Sequence, residues 1–255
     1  NLLKPVIDFN NALSWLTVGD GRYGTDASAL LKLGATNVMC TDISDKLLKI
    51  GNETGFITDF SAQNAEDITF ENNQFDFTLC KESYHHFPRP HIALHEMLRV
   101  SKLGAILIEP LNSKIEPKIL NRILQLIKRI FGKLNNNHAH EFEPIGNYIF
   151  SISERELEKV QLGMHRRYIA YTYVNDYYER GYEFISLETS DKTEIKKIKK
   201  AKLIIRIRDL LVKYNLISAG LLCAILFKEE PSSSLVKLLR NSGWHLKKLP
   251  RNQYI

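Results

Sequence analysis

Leu16-Thr17-Val18 runs directly into Gly19-Asp20-Gly21-Arg22-Tyr23-Gly24, and a helical pattern comes next. A short buried strand that enters a Gly-x-Gly-x-x-Gly turn and leaves through a helix confines the chain to α/β architectures. Such a turn lets backbone amides approach a nucleotide-like ligand at a helix N-terminus. Many α/β folds reuse it, so its meaning depends on the residues placed at fixed distances beyond it.

Apolar runs and helical patterns alternate through the first half of the chain. Strands are predicted at 16–18, 37–41, 55–58, 75–80 and 105–108, the last after a break at Gly104. Helices are predicted at 28–33, at 44–50 behind a capping Ser44, and at 90–101. Two further strands are expected at 182–187 and 220–227, with a lysine-rich helix at 193–214 between them and a C-terminal helix after them. The pattern predicts an α/β fold, a doubly wound, mostly parallel seven-stranded Rossmann-like sheet. Its ligands would sit at the carboxyl ends of the strands.

Between strand five and the late strands the pattern changes. A basic amphipathic helix is expected at 115–134, then a polar loop at 135–144, a capped helix at 153–162 and a tyrosine-rich segment from Tyr168. We read 1–111 as a cofactor-binding core, 112–178 as a helical lid insertion for substrate recognition, and 179–255 as the rest of the core with a C-terminal helix and tail. The basic helix could lie on a membrane surface, but packing of its isoleucine face on the core is the favoured reading.

The 255 residues suffice for a large core, and a formal charge of +6 is compatible with an anionic ligand or simply with a solvated basic surface. Cys40, Cys80 and Cys223 sit in separate apolar runs with no zinc or redox spacing, which predicts reduced, buried thiols in a cytoplasmic protein. The run 216–227 is too short for a bilayer span, which needs roughly 20 residues. No leader pattern is visible, and the chain opens at Asn1, so further N-terminal sequence is expected to precede it.

Asp42 lies 23 residues beyond Gly19, at the tip of the second strand, in Thr41-Asp42-Ile43-Ser44. A carboxylate there can accept both ribose hydroxyls of an adenosine-containing cofactor; as a lone acid it would equally cap a helix. Gln63-Asn64-Ala65-Glu66-Asp67 precedes the fourth strand, and Lys81-Glu82-Ser83-Tyr84-His85-His86-Phe87 comes at its end. The fifth strand ends Ile108-Glu109-Pro110. In this order and spacing, residues 12–110 resemble the class I S-adenosylmethionine-dependent methyltransferases of the small-molecule group.

The resemblance implies S-adenosylmethionine as cofactor and S-adenosylhomocysteine as product. It implies that Gly19, Gly21 and Gly24, with Asp20 and Arg22 between them, line the methionine and ribose end. Asp42 would hold the ribose, Ile43 would pack on the adenine, and Asn64, Ala65 and Glu66 would lie along its edge. Lys81 would pass the methionine moiety. Thr17 stands where the family usually has an acid, and Asn64 where it usually has Asp. Asp20 either replaces the missing charge near the cofactor's ammonium group or points away.

Methyl transfer is an in-line displacement that needs positioning and exclusion of water. An alcohol acceptor also benefits from a base near neutral pKa. His85, His86 and Glu109 are the candidates, weighed against a histidine that packs in the core and another that lines the pocket. The expected acceptor is a small molecule or glycan, methylated at oxygen. Nucleic acid is not expected as a partner, since the aromatics do not interleave with the basic runs. His138, His140, Glu141 and Glu143 could ligate a metal, but a polar loop is the simpler account and no metal is expected. Arg166, Arg167, Tyr168, Tyr171 and Tyr173 could contact a sugar-like or phosphorylated acceptor or merely pack a strand. Two other readings stand beside the leading one: an inactive methyltransferase fold used for binding, and a nicotinamide-dependent oxidoreductase.

Overall fold

The computed structural model describes residues 2–112, 142, 148–177, 185, 189–214 and 216–254. A short helix α1 (Lys4–Phe9) precedes the alternation β1 (Ser14–Val18), α2 (Thr25–Leu33), β2 (Asn37–Asp42), α3 (Lys46–Glu53), β3 (Asp59–Ala62), β4 (Phe75–Lys81). A 3-10 turn at Tyr84–His86 leads to α4 (Pro90–Val100) and β5 (Ser101–Pro110). Then come α5 (Glu154–Gly163), β6 (Tyr168–Val174), α6 (Lys192–Lys213), β7 (Leu221–Phe227), α7 (Ser233–Asn241) and β8 (His245–Lys248).

The strands form one eight-stranded sheet in the order β3-β2-β1-β4-β5-β7-β6-β8. Five neighbours, β3 to β5, pair in parallel. The chain steps outward from β1 through β2 to β3, then returns to the other side of β1 as β4. That reversal opens a crevice beyond the carboxyl ends of β1 and β4. Backbone bonds from Lys228 to Leu103 and from Leu111 to Gly220 set β7 antiparallel to β5.

Apolar strands buried on both faces explain the central layer. Trp15 and Phe77 stack at 5.4 Å across β1 and β4, and Phe227 meets Phe77 edge-on at 6.5 Å. From α4, Ala93, Leu94, Met97 and Leu98 are fully buried. Cys40, Cys80 and Cys223 are free, buried thiols, as their apolar surroundings predict.

Several elements differ from expectation. The third strand lies at Asp59–Ala62. Residues 55–57 instead close α3, their amides donating to the carbonyls of Asn52 and Gly51. Ser44 does not cap α3: its amide donates to Asp42 Oδ1 at 3.0 Å, and Asp45 is the N-cap residue. Gly104 is no break; it lies inside β5, where an added Cβ would stand 2.4 Å from the Leu226 carbonyl. The sheet has an eighth strand: β8 pairs antiparallel with β6 from Tyr168↔Lys248 to Tyr171↔His245. The strand expected at 182–187 falls outside the described residues apart from Ile185, as do the helix at 115–134 and the metal-ligand candidates His138, His140, Glu141 and Glu143.

The chain divides into two compact units: 1–110 with 139–172 and 222–255, and 111–138 with 173–221. Residues 139–172 of the expected insertion thus cluster with the first unit. There Tyr168 and Tyr171 are buried in the sheet. In the second unit α6 is capped by Asp191, whose Oδ1 accepts from the Thr193 and Glu194 amides. Among the described residues no helix is long and apolar enough to cross a membrane.

Candidate functional site: a cleft at the carboxyl ends of β1, β2 and β4

A cleft of about 730 Å³ opens at the crevice, within the size range of small-molecule sites. Its floor is the glycine turn. Gly19 has φ +75°, and an added Cβ would stand 2.7 Å from Ser83 Cβ. The close approach lets Ser83 Oγ donate to the Gly19 carbonyl at 2.6 Å. At Gly21 an added Cβ would stand 2.7 Å from Asp42 Oδ2, so only glycine keeps the space against that carboxylate open. Arg22, Ile43 and Ala65 also line the cleft, Ile43 with 77% of its surface exposed. An apolar side chain this bare at the lip of a cleft suits a flat ligand surface.

Asn64 faces the cleft while its side-chain oxygen accepts from the Glu66 amide at 3.0 Å. Glu66 lines the cleft too, but its carboxylate is held by Arg89, which donates from its amide at 2.6 Å and from Nε at 2.7 Å. Gly24 does not line the cleft: it precedes α2 with φ +76° and packs on Ile57.

Asp20 is only 3% exposed. Its carboxylate accepts from the amides of Asp26 (3.0 Å) and Ala27 (2.8 Å), from Thr17 Oγ1 (3.0 Å) and from Cys40 Sγ (3.4 Å). Burial pushes its pKa up, and those bonds pull against it. Thr17 and Asp20 therefore act as a unit: the strand supplies a hydroxyl donor, and the acid in the turn caps α2.

At the other wall Glu82 adopts φ +50° directly after β4. The reversal aims the amides of Ser83 and Tyr84 at Glu109 Oε1, each at 3.0 Å. Glu109 is fully buried at the end of β5, and its Oε2 lies 2.6 Å from His85 Nδ1. A carboxylate form of Glu109 can only accept; in that form the contact has Nδ1 as donor and leaves Nε2 without the proton. His85 lines the cleft and Glu109 stands behind it. His86 lines the cleft as well, its ring 3.9 Å from that of His85.

Sequence reasoning missed two contributors. Lys81 Nζ lies 3.3 Å from Asp26 Oδ1, and both residues line the cleft; Asp26 resembles any acid in a first helical turn, so nothing marked it out. The segment 148–152 is tied to the site by two backbone bonds, Phe150 to the His85 carbonyl at 3.2 Å and Ile152 to the Pro110 carbonyl at 2.9 Å. Phe142, Tyr148 and Phe150 form an exposed edge-to-face series with spacings of 5.4 and 5.0 Å. Among the described residues no cluster of three His, Cys, Asp or Glu could hold a metal.

Residues 16–108 match the family described as a methyltransferase domain. A demethylmenaquinone methyltransferase of Staphylococcus carnosus (strain TM300) is 29% identical over 126 residues, covering 47% of this chain and 52% of that one. One of Paenarthrobacter aurescens (strain TC1) is 34% identical over 85 residues, covering 33% of each. The chain thus spans about half and a third of these relatives. A SAM-dependent methyltransferase structure from Archaeoglobus fulgidus shares the fold with a TM-score of 0.50 at 14% identity, covering 89% of this chain and 93% of that one. Residues 16–108 are thus matched as a methyltransferase domain.

Proposed function

We propose that this chain transfers a methyl group from S-adenosylmethionine to a hydroxyl of a small-molecule or glycan-type acceptor, with His85 as general base and Glu109 as its positioning residue. The observation that carries the reading is the 2.6 Å contact between His85 Nδ1 and a fully buried Glu109, beside a cleft whose open space lies against Asp42. The cofactor supplies an electrophilic methyl group when bound. Asp42 would accept the ribose hydroxyls, and the glycines at 19 and 21 would allow the cofactor's close approach. Asn64, Ala65 and Ile43 would flank the base.

His85 would take the acceptor's proton on Nε2, and Glu109 would stabilise the imidazolium through Nδ1. Phe142, Tyr148 and Phe150 offer faces on which a planar or sugar-ring acceptor could stack. In this reading the insertion's residues 148–152 form the acceptor side. The small-molecule acceptor in the relatives' names supports the same class here.

The test measures transfer of labelled methyl to a panel of phenolic and sugar hydroxyl acceptors, beside calorimetric titration with S-adenosylhomocysteine. His85→Gln is expected to lower kcat about 10²–10⁴-fold and leave S-adenosylhomocysteine affinity unchanged. Equal kcat in wild type and variant would remove the base assignment. Phe150→Ala should raise KM for the acceptor with little change in cofactor affinity; an unchanged KM would show that the aromatic series is not the acceptor wall.

A further inference from the structure

The helix α6 (Lys192–Lys213) holds nine cations and two acids, a formal charge of +7. The whole chain carries +6, so everything outside this helix sums to −1. The excess positive charge of the molecule therefore resides in one helix, and no residue of that helix is buried. Seven of its residues, spaced alternately by four and three, fall on one line along a helix of 3.6 residues per turn, and all are exposed. The first half of this stripe is Lys192, Lys196 and Lys199. The second half is Leu203, Ile207, Leu210 and the C-cap residue Tyr214, each between 49% and 68% exposed.

The far side of α6 is the covered one. There Ile198, Ala201, Ile204 and Leu211 are half-buried, and Arg208 stands over the Tyr177 ring at 5.6 Å. The helix thus has one apolar face that is already partly covered and a second that is bare. A merely solvated outer face needs only charge; four large apolar side chains in line there forgo burial.

We propose that α6 docks flat on a membrane surface bearing anionic headgroups. Its lysines meet the phosphates, and Leu203, Ile207, Leu210 and Tyr214 enter the boundary between headgroups and acyl chains. Charge and apolar surface on a single line call for a partner that offers both layers, and an anionic bilayer does. A second copy of the chain would set nine cations against nine. A nucleic acid would take the charge but offers no layer for the aliphatic side chains. Tyrosine suits the end of such a stripe, its ring apolar and its hydroxyl wet. Among the described residues no helix is long and apolar enough to span a bilayer, which leaves α6 to lie on the surface. The inference stands apart from the cofactor reading.

The experiment sediments the full chain with vesicles of phosphatidylcholine alone and of phosphatidylcholine with an equal part of phosphatidylglycerol. Binding to the anionic vesicles is expected to be at least about tenfold tighter, and the preference should fade with added salt. The triple variants K192Q/K196Q/K199Q and L203Q/I207Q/L210Q should each weaken anionic binding about tenfold or more while keeping the wild-type Tm. In Ile207→Trp the new indole should shift its emission to the blue on anionic vesicles, over the constant background of the buried Trp15 and Trp244. Absence of binding to anionic vesicles, or equal binding to both kinds, would overturn the proposal. So would full binding by either triple variant, or an indole emission unchanged in the vesicle-bound protein. Release of the bound chain by a single-stranded oligonucleotide at matched phosphate concentration would also overturn it, and would make α6 a nucleic-acid surface instead.

Discussion

Asp20 and Asp26 are six residues apart and have opposite fates. Asp20 is enclosed by five donors, whereas the Asp26 carboxylate meets one cation, Lys81 Nζ at 3.3 Å. For Asp26 the consequence is linked to pH. Its pKa in the folded chain is about 6, above the ordinary 3.8, so the fold binds this proton more tightly than the unfolded chain does. The associated stability is present below about pH 4 and is lost as pH rises through about 6, a change of about 3 kcal/mol. Asp26→Asn stays neutral throughout. Relative to wild type, the ligand-free variant should therefore gain stability between pH 4 and pH 8, as read by urea unfolding at both values. A difference that does not vary with pH would show that the carboxylate is at ease where it stands.

At the scale of elements, the staple between the turn and α2 carries the site's floor. Asp20→Ala would strand the amides of Asp26 and Ala27 and the Thr17 hydroxyl, at a cost of about 2–3 kcal/mol. The expected drop in Tm is about 5–10 °C, measurable by calorimetry; no drop would mean that water replaces the carboxylate. The elements most legible in the sequence are those with apolar runs buried on both faces: β1, β2, β4, β5 and β7. β3 (Asp-Phe-Ser-Ala) and β8 (His-Leu-Lys-Lys) are short, largely polar edge strands whose existence depends on a neighbour, so no local pattern reveals them. The candidate site was legible where chemistry follows from a strand end, as with Asp42, His85 and Glu109. It was opaque where orientation decides, as with Asp20, whose carboxylate turns inward, and Glu66, which is taken by Arg89.

At the scale of the whole molecule, the parallel half of the sheet brings the glycine turn, Asp42 and His85 to one edge from residues spread over the first hundred positions. The fold alone does not dictate chemistry. The central claim is that this edge binds the adenosyl cofactor, with Asp42 on its ribose. Calorimetric titration with S-adenosylhomocysteine tests it most directly. We predict one-to-one binding to wild type and at least about tenfold weaker binding to Asp42→Ala, the loss of hydrogen bonds to a charged group. A folded wild-type protein that takes up no S-adenosylhomocysteine, or an Asp42→Ala variant that binds it equally well, would contradict the account.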